Sequence, residues 1–157
     1  MSTATAIPPF YRHFFANFEP FLGLTGFWFN HGDPITFLTS LNPRYAGPPI
    51  APETRMLLDT VTGFYAQNLF LQLALPRVRP HDLGIWRVWQ GSLLVVDSVL
   101  TLAMFANMSR VGILGVGSWR WMEWVNVCGM LGLVGVRAAF VTGVGFGERA
   151  TQGKKRA

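Results

Sequence analysis

The sequence predicts an all-α fold, a four-transmembrane-helix antiparallel bundle, from three observations. Charged residues make up 13% of the 157-residue chain, against about 25% in ordinary soluble domains. Four stretches reach or approach the roughly 20 mostly apolar residues that a helix needs to cross a hydrocarbon layer about 30 Å thick. The few charges fall mostly between those stretches. Buried helices of a water-soluble fold would carry polar faces of several charges each, whereas these segments hold one or two apiece.

Residues 1–10 read as a short cytosolic segment. They hold no positive charge ahead of the apolar region, and Glu19-Pro20 interrupts what would be the apolar core of a cleaved signal, so the first helix is expected to be retained. The first span covers about 11–29, between Pro8-Pro9 and Asn30-His31-Gly32-Asp33-Pro34. Glu19 near its middle costs about 2.5–3.5 kcal/mol on insertion, and the many Phe residues, each returning about 0.3–0.6 kcal/mol, offset it. Loop 30–55 contains Pro34, Pro43, Pro48, Pro49 and Pro52 and is expected to be an extended cap or flexible loop on the lumenal side. The second span, 56–75, is closed by Pro76. In the third, 91–108, Leu93, Leu94, Val95, Val96, Val99, Leu100, Leu102 and Phe105 offset Asp97. The fourth covers 121–146, and 147–157 is a basic cytosolic tail.

Short joins between the second, third and fourth spans favour antiparallel neighbours. Orientation follows from counting Lys and Arg on each side. The N-terminus, the second connection and the tail hold Arg12, Arg77, Arg79, Arg87, Arg149, Lys154, Lys155 and Arg156, whereas the opposite side holds Arg44, Arg55, Arg110 and Arg120. Both termini are therefore expected in the cytosol. No internal repeat is apparent, which disfavours the inverted-repeat plan of many transporters.

Ionisable groups at membrane depth are costly and normally face the bundle interior. Glu19, Asp59, Asp97, Glu123 and Arg137 have to be placed on that basis. Asp97 falls about 9 Å and Arg137 about 13 Å inside the cytosolic boundary, close enough in depth for a structural ion pair. Glu19 near the midplane, with Gln67, Asn68 and Gln72 on the second helix, would join one polar cluster drawn from all four helices. Asp59 and Glu123 fall near the lumenal boundary. On the fourth helix, Glu123, Asn126, Met130, Leu133 and Arg137 recur at three and four residues and share a face. Gln90, Asp97 and Thr101 line up in the same way on the third. The acid/base candidates are Glu19, Asp97 and Glu123; the ligand-binding candidates are Gln67, Asn68, Gln72, Trp121, Trp124 and Asn126. The plain alternative is mutual neutralisation of Asp97 and Arg137, with the amides as interhelical glue.

Trp86, Trp89, Trp119, Trp121 and Trp124 cluster at the two ends of the spans, as an interfacial belt requires. Trp121 or Trp124, beside Glu123, would alternatively line a pocket whose aromatic face stabilises a cation. Gly129, Gly132, Gly135, Ala138 and Ala139 permit close helix approach, within the chain or in a homo-oligomer. His13, His31 and His81 lie in separate segments and Cys128 is the single cysteine, so neither a shared metal site nor a disulfide is expected. No phosphate loop or nucleophile elbow is present, so no cofactor is expected. Scattered basic residues without a groove argue against nucleic acid as a partner. The Asn107-Met108-Ser109 acceptor abuts the membrane and is expected to be unused.

Glu19-Pro20, Trp86-Arg87, Asp97 and Trp121-Met122-Glu123-Trp124-Val125-Asn126 resemble an uncharacterised family of fungal four-helix membrane proteins, across about 11–145. More distantly, four helices, intramembrane carboxylates, tryptophans and a dilysine-like Lys154-Lys155 tail are similar to the emopamil-binding protein and sigma-2 receptor group, which includes sterol isomerases. The tail resemblance implies retrieval to the endoplasmic reticulum. The chain departs from that group where Gln67, Asn68 and Gln72 stand in place of an acid. The expectation is a membrane protein that binds a lipid- or terpenoid-like ligand or assists a fungal biosynthetic pathway. The alternatives are an isomerase or cyclase using acid/base chemistry, and a transporter or channel component.

Overall fold

Pro9 suits the first turn of a helix, because its ring fixes φ and its missing N–H has no helical partner there anyway. A rod accordingly starts at α1 (Pro9–His13), passes through a π turn (Phe14–Phe18) and continues as α2 (Glu19–Gly32). The computed structural model describes residues 7–45, 47 and 49–146. Arg149 and the Lys154-Lys155-Arg156 tail lie outside the described residues.

The π turn is a consequence of Pro20. Proline cannot donate to the carbonyl four residues back and its ring crowds that carbonyl. The ladder instead widens by one residue, with Glu19 N–H bonding Phe14 C=O. Eight residues of unbroken α-helix would leave Glu19 about 80° round from Tyr11, at about 100° per residue. The one-residue insertion removes about that 100°, so Tyr11, Phe15 and Glu19 are all buried on one face.

After Asp33 comes a short helix, α3 (Pro34–Leu41), where an extended or flexible segment was expected. Asp33 Oδ1 caps it by accepting from Thr36 N–H at 3.1 Å, and Pro34 sits at its first position. Its last carbonyls, which no helix can satisfy internally, are taken by side chains from other elements. Arg120 Nη2 donates to Thr39 O (3.0 Å), Asn126 Nδ2 to Ser40 O (3.0 Å) and Asn107 Nδ2 to Leu41 O (2.9 Å). Asn107, the glycosylation candidate, therefore has its amide engaged in docking α3.

Hydrogen bonds from Thr36, side chain and then backbone, hold the Asp33 carboxyl below the usual carboxylate range. A depressed folded value means the cap contributes fully above the ordinary carboxylate pKa and is lost as pH falls through the depressed one. Amide protection factors in α3 are therefore expected to drop in acid, and to be low already at neutral pH in Asp33→Ala. Unchanged protection in that variant would show that the cap does not hold α3.

The remaining helices are α4 (Pro52–Val78), α5 (Leu83–Arg110) and α6 (Trp121–Thr142). Pro76 does not close α4, which runs on to Val78; so close to the end, it forfeits only one of the last hydrogen bonds. Asp82 Oδ1 caps α5 through Ile85 N–H at 3.1 Å, which starts it eight residues before the expected 91. Gly143 at φ 87° ends α6 in the left-handed conformation that glycine adopts without strain. Four residues are thereby cut from the expected span ending at 146. The described residues are all-helical, and α5 and α6 are long and apolar enough to cross a membrane.

The rod packs chiefly on α4 and α5 chiefly on α6, which makes two helical pairs. The close approach in the first pair is made by Gly23 and Gly26. A Cβ at Gly26 would stand 3.1 Å from the Tyr65 ring, and one at Gly23 would stand 3.3 Å from Gln72 Oε1. The glycines singled out on the fourth helix behave differently. Gly129, Gly132 and Gly135 face open space and take no part in packing within the chain. Ile7, Tyr11, Phe15, Trp86 and Phe140 form the buried apolar cluster at one end. Toward the other end Asn30, fully buried, donates to Leu58 O and Thr62 Oγ1, both at 2.7 Å.

Candidate functional site

Between those ends, four helical elements meet in one polar cluster built around a guanidinium. Arg137 of α6 is 3% exposed and uses all three of its nitrogens. Nε donates to Gln90 Oε1 at 3.0 Å, Nη1 pairs with Asp97 Oδ2, and Nη2 pairs with Glu19 Oε1. Gln90 and Asp97 both reach it because seven residues are two turns of α5. Glu19, 3% exposed, reaches it because the π turn has rotated it inward. From α4, Gln72 Nε2 donates to the same Glu19 Oε1 at 2.5 Å. Thr101, a turn beyond Asp97, is buried and bonds back to the Asp97 carbonyl at 2.7 Å.

Two carboxylates stand against one guanidinium. Glu19 Oε2 and Gln72 Oε1 are buried without a hydrogen-bond partner. Beside them a narrow cleft of about 10 Å³, room for roughly one water, is lined by Phe15, Gln72, Leu75, Pro76, Ile85, Trp86, Trp89 and Gln90. It lies where α4 and α5, though joined by a short turn, barely touch. Its walls are aromatic and aliphatic, and its polar groups include two of the ion cluster's own amides and the Trp89 indole N–H, which is buried without a partner. As it stands the cleft admits about one water beside those amides.

The other sequence candidates fall elsewhere. Gln67 is exposed, because five residues before Gln72 on a helix is about 140° away, and Asn68 is only half-buried. Trp121 is 72% exposed, and Trp124 packs edge-on against Trp119 with centroids 4.7 Å apart. Both indoles are exposed rather than enclosed with Glu123, as residues of an interfacial belt would be. Asn126 docks α3.

Glu123 is a helix-capping group: Oε2 accepts from Arg120 N–H at 2.7 Å and the Arg120 guanidinium holds the carboxylate from Nε at 3.0 Å. That hydrogen bond raises the Arg120 guanidinium above its ordinary value. Fourteen residues separate Glu123 from Arg137, about 21 Å along the axis, so it stands apart from the cluster. Asp59 is half-exposed and pairs with Arg55 at 3.1 Å. No group of side chains that would hold a metal ion occurs among the described residues.

Sequence reasoning missed three things here: the sharing of Arg137 by Glu19, the anchoring role of Gln90, and the cleft walled by Phe15, Leu75 and Ile85. The first had a signal, since a single interior cation was set against two interior acids.

Residues 4–148 match a family described as a domain of unknown function, DUF7704. The chain belongs to the DUF7704 family. The match takes in every helix described above, so the ion cluster, the cleft and the docked α3 all lie within the DUF7704 domain. No curated protein and no solved structure matches the chain.

Proposed function

We propose that this DUF7704 protein is a polytopic membrane protein whose helical rods at residues 9–32, 52–78, 83–110 and 121–142 all cross the bilayer, with both termini cytosolic. We further propose that its bundle binds a hydrophobic small molecule of lipid or terpenoid type, in an accessory role to a fungal biosynthetic pathway. The observation that carries this is an inverted polarity. Glu19, Asp97 and Arg137 are buried, while Phe21, Trp28, Met56, Phe64, Phe70, Val95 and Leu102 are exposed. A water-soluble domain does the reverse, because burying charge is costly and exposed apolar patches associate. Lipid as solvent removes the contradiction. At about 1.5 Å per residue each rod exceeds the roughly 30 Å of hydrocarbon. The cleft beside the cluster offers apolar walls and a polar anchor, and α4 and α5 would have to part there to admit such a ligand.

The test is to purify the full chain in mild detergent, extract it and identify retained molecules by mass spectrometry. A defined hydrophobic compound is expected at a fixed ratio to protein. Leu75→Trp, which fills the cleft, is expected to lose it while the protein stays monodisperse. Retention of bulk phospholipid alone, in wild type and variant alike, would refute the ligand reading. Reporter fusions at both ends test orientation. The Lys154-Lys155 pair supports an endoplasmic-reticulum membrane, and redistribution on replacing both by serine tests it.

A second reading, a membrane-embedded isomerase or cyclase, is favoured by the partnerless Glu19 Oε2, whose carboxyl is one hydrogen bond from the Gln72 that lines the cleft. There Glu19 or Asp97 would serve as acid or base toward the bound molecule. Asp97→Asn protein that folds and retains ligand, but leaves it unconverted where wild type converts it, is the expected result on that reading.

A further inference from the structure

The hydrogen bonding around Glu19 lacks one hydrogen. Gln72 Nε2 donates to Glu19 Oε1 at 2.5 Å. The companion atoms of the same two groups, Glu19 Oε2 and Gln72 Oε1, are both buried and both without a partner. An ionised carboxylate and an amide oxygen are acceptors only, so these two atoms have nothing to offer each other. Leaving two acceptors buried and unmade is among the costlier defects a core can carry. A carboxylic acid facing an amide forms a closed pair instead: amide N–H to acid carbonyl on one side, acid O–H to amide oxygen on the other. The first half of that pair is already in place.

Charge leads to the same result independently. The charged groups around Glu19 among the described residues are Arg137 of α6 and Asp97 of α5, with Gln72 and Gln90 as neutral neighbours. Two ionised acids on one guanidinium would leave one uncompensated negative charge at a buried site, which proteins avoid. A single added proton removes both the net charge and the two orphan acceptors.

We infer that Glu19 and Gln72 form a proton-binding site: Glu19 holds a proton on Oε2 directed at Gln72 Oε1, and Asp97 with Arg137 is the ionised pair. Glu19 carries the proton because its spare oxygen lies in the group that already pairs with the Gln72 amide. Asp97 faces no comparable amide, and its Oδ2 is engaged by the guanidinium. Gly23 leaves the amide its place, since a Cβ there would stand 3.3 Å from Gln72 Oε1, tight enough that the amide would have to shift by a few tenths of an ångström. The assignment is independent of which molecule, if any, occupies the cleft.

Infrared spectroscopy of the purified full chain in lipid nanodiscs at neutral pH tests it. The carbonyl stretch of an un-ionised carboxylic acid is expected, shifted in deuterated water. It should move when glutamate carboxyls carry carbon-13 and stay put when aspartate carboxyls do. Glu19→Gln should abolish the band while the protein keeps its wild-type elution and melting temperature, because an amide replaces the neutral acid without changing charge. Asp97→Asn should also abolish it, since Glu19 must then give up its proton to balance Arg137. Absence of the band in folded wild-type protein overturns the inference, as does a band that follows the aspartate label. Should the substitutions prevent folding, the isotope result on wild type still decides.

Discussion

Arg137→Leu is expected to be the most damaging single substitution in the chain. Removing one partner of a buried ion pair costs about 3–5 kcal/mol, because the other charge stays behind uncompensated. Domains of this size are stable by only about 5–15 kcal/mol in total. Here the loss is compounded, since Arg137 is the common partner of Glu19, Asp97 and Gln90. Detergent-solubilised Arg137→Leu protein is expected to elute as aggregate in size-exclusion chromatography. Adding Asp97→Asn to it should recover much of the monodisperse peak, because Asp97 is the partner left ionised once Glu19 holds a proton. A normal peak and melting temperature for Arg137→Leu alone would mean that the guanidinium does not tie the four helical elements together.

That cluster shows what can and cannot be counted from a sequence. Depth along a membrane helix follows from the rise per residue, so Glu19, Asp97 and Arg137 could be brought to one level from residue numbers alone. Rotation about each axis is different, because the partners set it. Gln67, Asn68 and Gln72 lie within about 8 Å of one another along α4, yet only Gln72 is buried. Glu19 faces inward through a π turn that Pro20 imposes on the preceding residues. An i, i+4 template cannot anticipate a residue that is inserted into the period.

The long helices were legible because their apolar runs and flanking prolines are local signals. The docked α3 was not. Its sequence, rich in β-branched residues and following several turn formers, has a weak helical signal, and it is held by Asn107, Arg120 and Asn126 from far along the chain. Close approach within the chain falls on another helix than the one whose small residues stand out, although Ala139 of that helix does pack against the aromatic cluster. Gly129, Gly132 and Gly135 form the more obvious small-residue strip, but Gly23 and Gly26 meet Gln72 and Tyr65. Composition shows where a helix is allowed to come near another, and the partner's side chains decide where it does.

Phe140→Ala is expected to have the second-largest effect, and for a reason that differs from the soluble case. On the proposed placement in lipid, no hydrophobic force drives helices together, and what holds them is packing of complementary surfaces. Phe140 is fully buried. Its ring meets Tyr11 and Phe15 edge-on at 5.1 and 5.2 Å and lies 6.4 Å from Trp86. It thereby joins α6 to α1, the π turn and α5 at the end next to the ion cluster. Truncation of a buried Phe costs about 3–5 kcal/mol, mostly here as lost dispersion contacts that lipid tails cannot reach in to replace. A marked fall in melting temperature is expected, with Phe140→Leu intermediate. Val88→Ala, on an outward face of α5 at 76% exposure, should leave it unchanged. Phe15 is one turn from Glu19, so loosening this cluster should also admit water to the acid and weaken its un-ionised carbonyl band. Equal melting temperatures for Phe140→Ala and Val88→Ala would show that the aromatic cluster is surface packing and that the ion cluster alone fixes the bundle.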